Sequence, residues 1–268
     1  GGRARPMKRR PVTGRDLCFA VAGALLVAFL AVPLAFTVVG TPPELLGQVL
    51  GAAEVRRSLT LTFLASALAT VIGLSVGVPL AHLLARRRFR GRSLVEGLIG
   101  LPVVVPHTAA GVALLMVFGR QGLLGEPLSR VGLRFTDNVA GITLAMLFVG
   151  VPFLVTAGRD AFALVENETE QAALTDGAGP WQVFFLVTLP AAWRGVASGA
   201  LMMWARGISE FGAVVILAYH PKVLPVLVYE FFEAFGVAAA GAVSALLILV
   251  ALVVFAVARL ALSRSADR

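Results

Sequence analysis

Six stretches of apolar sequence, at 17–39, 58–84, 95–118, 139–158, 192–218 and 236–261, decide what this chain can become. Each is long enough to cross a bilayer core, which takes about 20 helical residues. In hydrocarbon every backbone N–H and C=O must find its partner within the protein, so only helices or closed barrels span. The runs are too long and continuous for the alternating strands of a barrel. Hydrophobic residues make up 58% of the chain and charged residues only 14%, against about a quarter in soluble domains. Mean hydropathy is +0.89. The expected fold is all-α, a polytopic membrane protein with six transmembrane helices and no large soluble domain, since the longest polar interval lies between 158 and 192.

Charge distribution predicts how those helices are oriented. Arg3, Arg5, Lys8, Arg9, Arg10 and Arg15 precede the first stretch, and Arg86, Arg87, Arg88, Arg90 and Arg92 follow the second. Arg159 and Arg194 flank the segment between the fourth and fifth, and Arg259, Arg264 and Arg268 close the chain. The opposite side holds fewer cations: Arg56, Arg57, Arg120, Arg130, Arg134 and Lys222. Positive-inside counting therefore expects both termini and the 166–190 segment in the cytoplasm. The net charge of +8 is gathered at span ends and argues for membrane lipid, with no nucleic-acid partner. The first apolar run is too long for a signal-peptide h-region and lacks a small-x-small cleavage site, so a retained span is expected. The chain opens Gly-Gly, and Met7 is a candidate natural start. One cysteine, Cys18, excludes an intramolecular disulfide, and three dispersed histidines offer no metal cluster.

The segment from Glu166 to Pro190 carries an ordered pattern: x-Ala172-Ala173-x-x-x-Gly177, then an aliphatic-x-Leu-Pro190 ending. Asn167 followed by Glu170 has the form of a capping box, so a surface helix should begin near Glu168, with acidic residues favoured at its start. Ala172 and Ala173 keep one face small, and Gly177 suits a left-handed helix end. Pro180 should start a new turn and Pro190 end it. The pattern resembles the cytoplasmic EAA loop of ABC importer permeases, where an ATPase transmits force. Gln171 stands at the motif's glutamate position, with Glu170 one residue earlier. The resemblance implies that Glu170, Gln171, Ala172, Ala173, Gly177 and Pro190 couple to an ATPase. The chain carries no P-loop of its own, because Lys8 and Lys222 are its only lysines and neither follows glycine. A separate ATPase subunit in two copies is implied, holding ATP and Mg, with no cofactor and no catalytic residue on this chain, and a second copy of the chain around a two-fold axis.

Two apolar stretches contain residues that loosen a helix. Pro102, Pro106, His107, Thr108 and Gly111 fall together in the third, which reads as a kinked, cavity-lining helix or as a packing kink. Proline frees backbone carbonyls that neighbours or water must then satisfy. The fifth contains Arg206 and Glu210, four apart and hence on one helix face; an intramembrane charge pair is costly unless buried and neutralised. A structural lock is favoured over a pathway lining, because a charge already paired binds a passing ion poorly. Gly207, Gly212 and Ala213 allow close helix approach beside it. His82 reads as a satisfied helix-end histidine, and His220 as part of an external turn.

The segments Pro102–Gly111 and Ala205–Ala213 look like those of molybdate and tungstate permeases, and more distantly of sulfate permeases, over most of 58–261. The resemblance implies a type I ABC transmembrane domain at 58–261, preceded at 1–57 by a basic N-terminus, a peripheral helix and an external loop, and followed by a tail at 262–268. It implies a subunit of the prokaryotic plasma (inner) membrane served by an extracytoplasmic oxyanion-binding protein. Pro106, His107, Thr108 and Ser209 are the candidate pathway groups. Two other classes compete. An ion-coupled secondary transporter needs unpaired intramembrane carboxylates, and only Glu96 and the paired Glu210 are available. A membrane-embedded enzyme needs a nucleophile with its base, or a metal cluster, and neither is assembled.

Overall fold

The computed structural model describes residues 13–264; the basic run Arg3–Arg10, Met7 and the end of the tail, including Arg268, lie outside them. Thirteen α-helices and no strand occur among the described residues. Helix α1 (Gly14–Val39) starts with a reciprocal cap, in which the Asp16 carboxylate accepts from the Thr13 N–H at 3.0 Å and Thr13 Oγ1 accepts from the Asp16 N–H at 3.4 Å. None of its residues is buried, so α1 is peripheral. A short α2 (Pro43–Gly51) leads into α3 (Ala53–Arg86).

The third apolar stretch is two helices, α4 (Arg92–Val104) and α5 (His107–Phe118), bent by 116°. The kinked single helix expected there is corrected to a broken one. Pro106 supplies no backbone donor and disfavours helical geometry at the residue before it, and Val105 is extended at φ −69°, ψ 132°. Pro102 is accommodated inside α4. After α6 (Gly125–Arg130) comes α7 (Val139–Ala163), opened by Asn138, whose Oδ1 accepts from the Gly141 N–H at 2.9 Å.

Helix α8 (Asn167–Thr175) is followed by a helical run that starts at Pro180 as α9 (Pro180–Val183), widens to a π-turn at Phe184–Thr188 and continues as α10 (Leu189–Ile208). Pro190 therefore does not end the segment. The Leu189 N–H reaches back five residues to Phe184 O, and this wider turn accommodates a ring that has no donor for the preceding carbonyls. The second half of the polar segment is already part of the fifth span. That span then breaks at 209–211 before α11 (Gly212–Leu217), so it does not run unbroken to 218. Helix α12 (Leu224–Phe235) lies outside the six stretches and turns into α13 (Val237–Arg264) at Gly236, where φ is +78°. Five helical segments are long and apolar enough to cross a membrane, and the bent α4–α5 pair makes a sixth.

The centre is α3, α7 and α10, with α7 parallel to α3 and α10 antiparallel to both. Gly199 of α10 fits against α7 so closely that an added Cβ would lie 2.9 Å from Ala157 Cβ and 3.2 Å from the Leu154 backbone. Small residues substitute for a hydrophobic driving force that lipid does not provide between helices. Ala65, Met146, Val149, Leu154, Val155 and Met203 fill the space around these contacts. Replacing Gly199 with Val forces rigid backbone apart rather than displacing a flexible side chain. The expected loss is about 1–3 kcal/mol, measured as a lower Tm of the detergent-solubilised protein beside an unchanged Tm for Gly23→Ala on α1, where nothing lies within 4 Å.

Candidate functional site

Three clusters of polar side chains occupy the bundle, one beneath α8, one at the helix breaks and one at the end away from α8. Arg86, the last residue of α3, is the hub of the first. Its Nη1 donates to Asn167 Oδ1 at 2.7 Å, and its Nη2 donates to Glu170 Oε1 at 2.7 Å and to Val165 O at 2.9 Å. Glu170 Oε1 also accepts from Thr188 Oγ1 at 2.8 Å. The capping box expected of Asn167 and Glu170 is absent. Glu166 is the N-cap, with no side-chain cap bond, because both residues are turned to the stronger charge-assisted donor on Arg86.

The anchor settles which face of α8 is presented outward. Glu170 and Ala173 are half-buried against the bundle, while Gln171, Ala172 and Leu174 are exposed. Gly177 closes the helix at φ +92°: its N–H bonds Leu174 O at 3.1 Å and the Ala178 N–H bonds Ala173 O at 3.0 Å. This paired arrangement is the Schellman closure that a left-handed residue permits. Pro190 is exposed on α10. His82, one turn before Arg86, is half-buried edge-on between Phe162 and Phe184, at 5.2 and 5.0 Å. Glu96 takes bonds from Arg92 at 3.1 Å and Arg159 at 3.4 Å and is not an unpaired carboxylate.

At the breaks, α5 and α11 lie against each other, with Gly111 facing the Ala213 backbone at 3.0 Å and Gly212 facing His107 Cβ at 2.8 Å, measured from the Cβ each glycine lacks. Glu210 is fully buried. One carboxylate oxygen accepts from Arg206 Nη2 at 2.7 Å and the other from the Ala213 N–H at 2.7 Å. The pair forms as expected, but Glu210 lies in the non-helical break rather than on a continuous helix face. Arg206 also donates to Ser209 Oγ at 3.1 Å and contacts His107 Nε2. Arginine only donates, so His107 Nε2 faces it as the acceptor, and His107 Nδ1 is buried without a partner among the described residues. The candidate lock and the candidate pathway groups are thus one cluster. Pro106, Thr108 and Ser209 are exposed along its edge, and His107 and Arg206 are half-buried.

A third cluster sits at the end of the bundle away from α8. Lys222 Nζ binds Glu230 at 2.6 Å and Glu54 at 3.4 Å, and the Tyr219 hydroxyl donates to Glu230. Burial pushes the Glu230 carboxyl up, but hydrogen bonds from Lys222 and Tyr219 outweigh it and hold the group below the usual carboxylate range. The Glu230 bond raises both Lys222 and Tyr219. His220 is exposed beside the Tyr219 ring.

With this geometry in hand, comparison with known proteins is decisive about family. The profile of the family described as "Binding-protein-dependent transport system inner membrane component" matches residues 73–265. This chain belongs to that family. The permease is 37% identical over 243 residues to the molybdate/tungstate transport system permease protein WtpB of Thermococcus kodakarensis, covering 90% of this chain and 93% of the relative. It is 39% identical to the protein of the same name from Pyrococcus furiosus, covering 88% and 91%. A probable sulfate transport system permease protein of Zygnema circumcarinatum is 32% identical over 70% of this chain and 67% of its own. The fold of this chain matches one in a crystal structure of a bacterial ABC transporter involved in the import of the acidic polysaccharide alginate, with TM-score 0.72, 18% identity and coverage of 93% of this chain and 96% of that one. The permease is a multi-pass, all-α membrane protein and a transport subunit rather than an enzyme.

Sequence reasoning missed Arg86 as the α8 anchor and Arg206 as the link between the two breaks. Arg86 was one of five clustered arginines, and only its partner 84 positions away distinguishes it. Two outcomes follow. Arg86→Gln removes three bonds at once and should raise backbone hydrogen exchange of 167–175 about tenfold or more, with exchange in α7 unchanged. Lys222→Met should lower stability at neutral pH and flatten its loss in acid. A lowered carboxyl contributes stability above its unfolded pKa and loses it as pH falls through its folded one. Without Lys222 the lowering of Glu230 is relieved, so the variant has a lower Tm than the parent at neutral pH, and the two Tm values converge as acid protonates Glu230 in the parent.

Proposed function

We propose that this permease moves a tetrahedral oxyanion, molybdate or tungstate, inward across the plasma (inner) membrane of a prokaryote, driven by ATP hydrolysis on a separate subunit. The observation that carries the reading is the junction of the two breaks, where the exposed Thr108 and Ser209 hydroxyls lie beside the Arg206–Glu210 pair. Such groups suit a transient dianion, which needs donors rather than acceptors. The names of relatives aligned along nearly the whole chain support the same cargo. Thr108 and Ser209 act as solvating hydroxyls, with Pro106 and His107 setting the edge of the break, and Glu210 holds Arg206 in place. Both oxygens of Glu210 are engaged, which weighs against a proton relay and hence against an ion-coupled secondary transporter.

The exposed face of α8 receives the ATPase. Gln171, Ala172 and Leu174 form the contact, Ala173 and Gly177 shape the helix, and Glu170 fixes it to Arg86. The working assembly is two permease chains, two ATPase subunits carrying ATP and Mg, and an extracytoplasmic oxyanion-binding protein. A binding-protein-bound complex among the structural neighbours is consistent with this arrangement.

Calorimetric titration of the cognate binding protein with molybdate, tungstate, sulfate and phosphate tests the cargo. Sub-micromolar binding of molybdate and tungstate is expected. Preference for sulfate would favour the branch represented by the Zygnema relative, and tight binding of phosphate alone would overturn the reading. Replacing Thr108 and Ser209 together with Ala should lower uptake severalfold, and unchanged uptake would remove them from the pathway.

A further inference from the structure

Beyond the junction, the end of the bundle away from α8 holds a small cavity with a charge imbalance. Its volume is ≈ 190 Å³, and its lining includes Phe118, Arg120, Ser129, Arg134 and Thr136. Phe118 closes α5, and its ring meets Phe135 edge-on at 5.4 Å to form an apolar floor. Ser129 and Thr136 are half-buried on the walls, with the Ser129 hydroxyl donating to Glu126 O at 2.7 Å, and the two arginines are exposed at the rim. Neither Arg120 nor Arg134 is paired with a carboxylate among the described residues. The neighbouring Arg130, by contrast, is bound to Glu126 at 2.6 Å. No carboxylate lines this cavity. Asp137 lines an adjoining hollow that shares Arg120 and Thr136 with this one, and its Oδ1 accepts from the His220 N–H at 3.4 Å.

Two unpaired guanidiniums facing one hollow repel each other until something negative lies between them. Guanidinium presents paired N–H donors that match two oxygens of a tetrahedral oxyanion, and the flanking Thr136 hydroxyl supplies a single donor to another. A concave, partly dehydrated wall focuses this field and raises the local anion concentration. The cavity sits one α5 length from His107, about 18 Å for twelve residues, so it lies at one end of the helix whose other end forms the junction.

We propose that Arg120 and Arg134, with Thr136, form an outer oxyanion-binding site of the permease, which takes a tetrahedral dianion before it reaches the junction. This proposal rests on the oxyanion reading of the preceding subsection. Its chemistry requires a small anion with oxygens on several sides. A partner protein's carboxylates, which would also pair with the rim arginines, leave the Thr136 wall unused.

The test uses the permease–ATPase complex in proteoliposomes with its binding protein and sodium molybdate or tungstate. Arg120→Gln with Arg134→Gln should lower initial uptake about tenfold, the loss expected for charge-assisted bonds. Co-sedimentation of the binding protein with the complex should stay unchanged. Arg120→Lys with Arg134→Lys should recover only part of the rate, since lysine restores charge but not the paired donors. Thr136→Val should lower uptake severalfold without affecting co-sedimentation. Unchanged uptake in the Gln variant overturns the site, and loss of co-sedimentation overturns it in favour of a protein-docking surface. Absence of molybdate, tungstate or sulfate uptake by the unsubstituted complex removes the oxyanion reading itself and this site with it.

Discussion

A helix interrupted inside hydrocarbon exposes backbone donors and acceptors that have no water to bind, and this bundle contains two such interruptions side by side. Glu210 resolves one of them directly, taking the Ala213 N–H on one oxygen and Arg206 on the other. Arg206 then reaches His107 at the start of α5. Removing either charge would strand the other, a loss of about 3–5 kcal/mol for a buried pair. The net contribution of the intact pair is far smaller, because both ions were first dehydrated. Its structural consequence is register: two irregular segments are held at one height, with hydroxyls at their edge.

The rest of the bundle supports that junction at one end and α8 at the other. Thr188 joins Glu170 to the π-turn from which α10 continues to Arg206. Ser66 of α3 donates to Trp204 O at 2.6 Å, just before the break. Gly207 makes this approach possible, since a Cβ there would lie 2.3 Å from Ser66 Oγ. A displacement of α8 therefore has a packed route through α10 to the paired breaks. Interlocked helices with few soft contacts shift as units rather than bending gradually.

The spans were legible because hydrocarbon imposes length and apolarity on each stretch separately. Gly177 was equally legible, as a left-handed residue is a local requirement. The breaks at Pro106 and 209–211 were only half visible: proline marks the first, but the second depends on a carboxylate bonding its own downstream backbone. Pro190 misled because a π-turn upstream accommodates its ring. Asn167 and Glu170 misled because a capping pattern is local, whereas Arg86 competes from another helix. The link between His107 and Arg206 joins residues 99 positions apart, and no periodicity encodes it. Charge counting put Arg86 on one side and Arg120 and Arg134 on the other but gave none of them a partner; their surroundings separate an anchor from two unpaired rim cations.

The central claim is that α8 is the surface through which a separate ATPase drives this permease. Ala172 tests it most directly, being small and exposed on α8 yet making no contact that holds α8 to Arg86. Co-purification of the ATPase, with ATP-dependent molybdate uptake scored in the same preparations, should be intact in the parent and lost together in Ala172→Trp. Retained complex with unchanged uptake, or uptake that proceeds without ATP, would contradict the account.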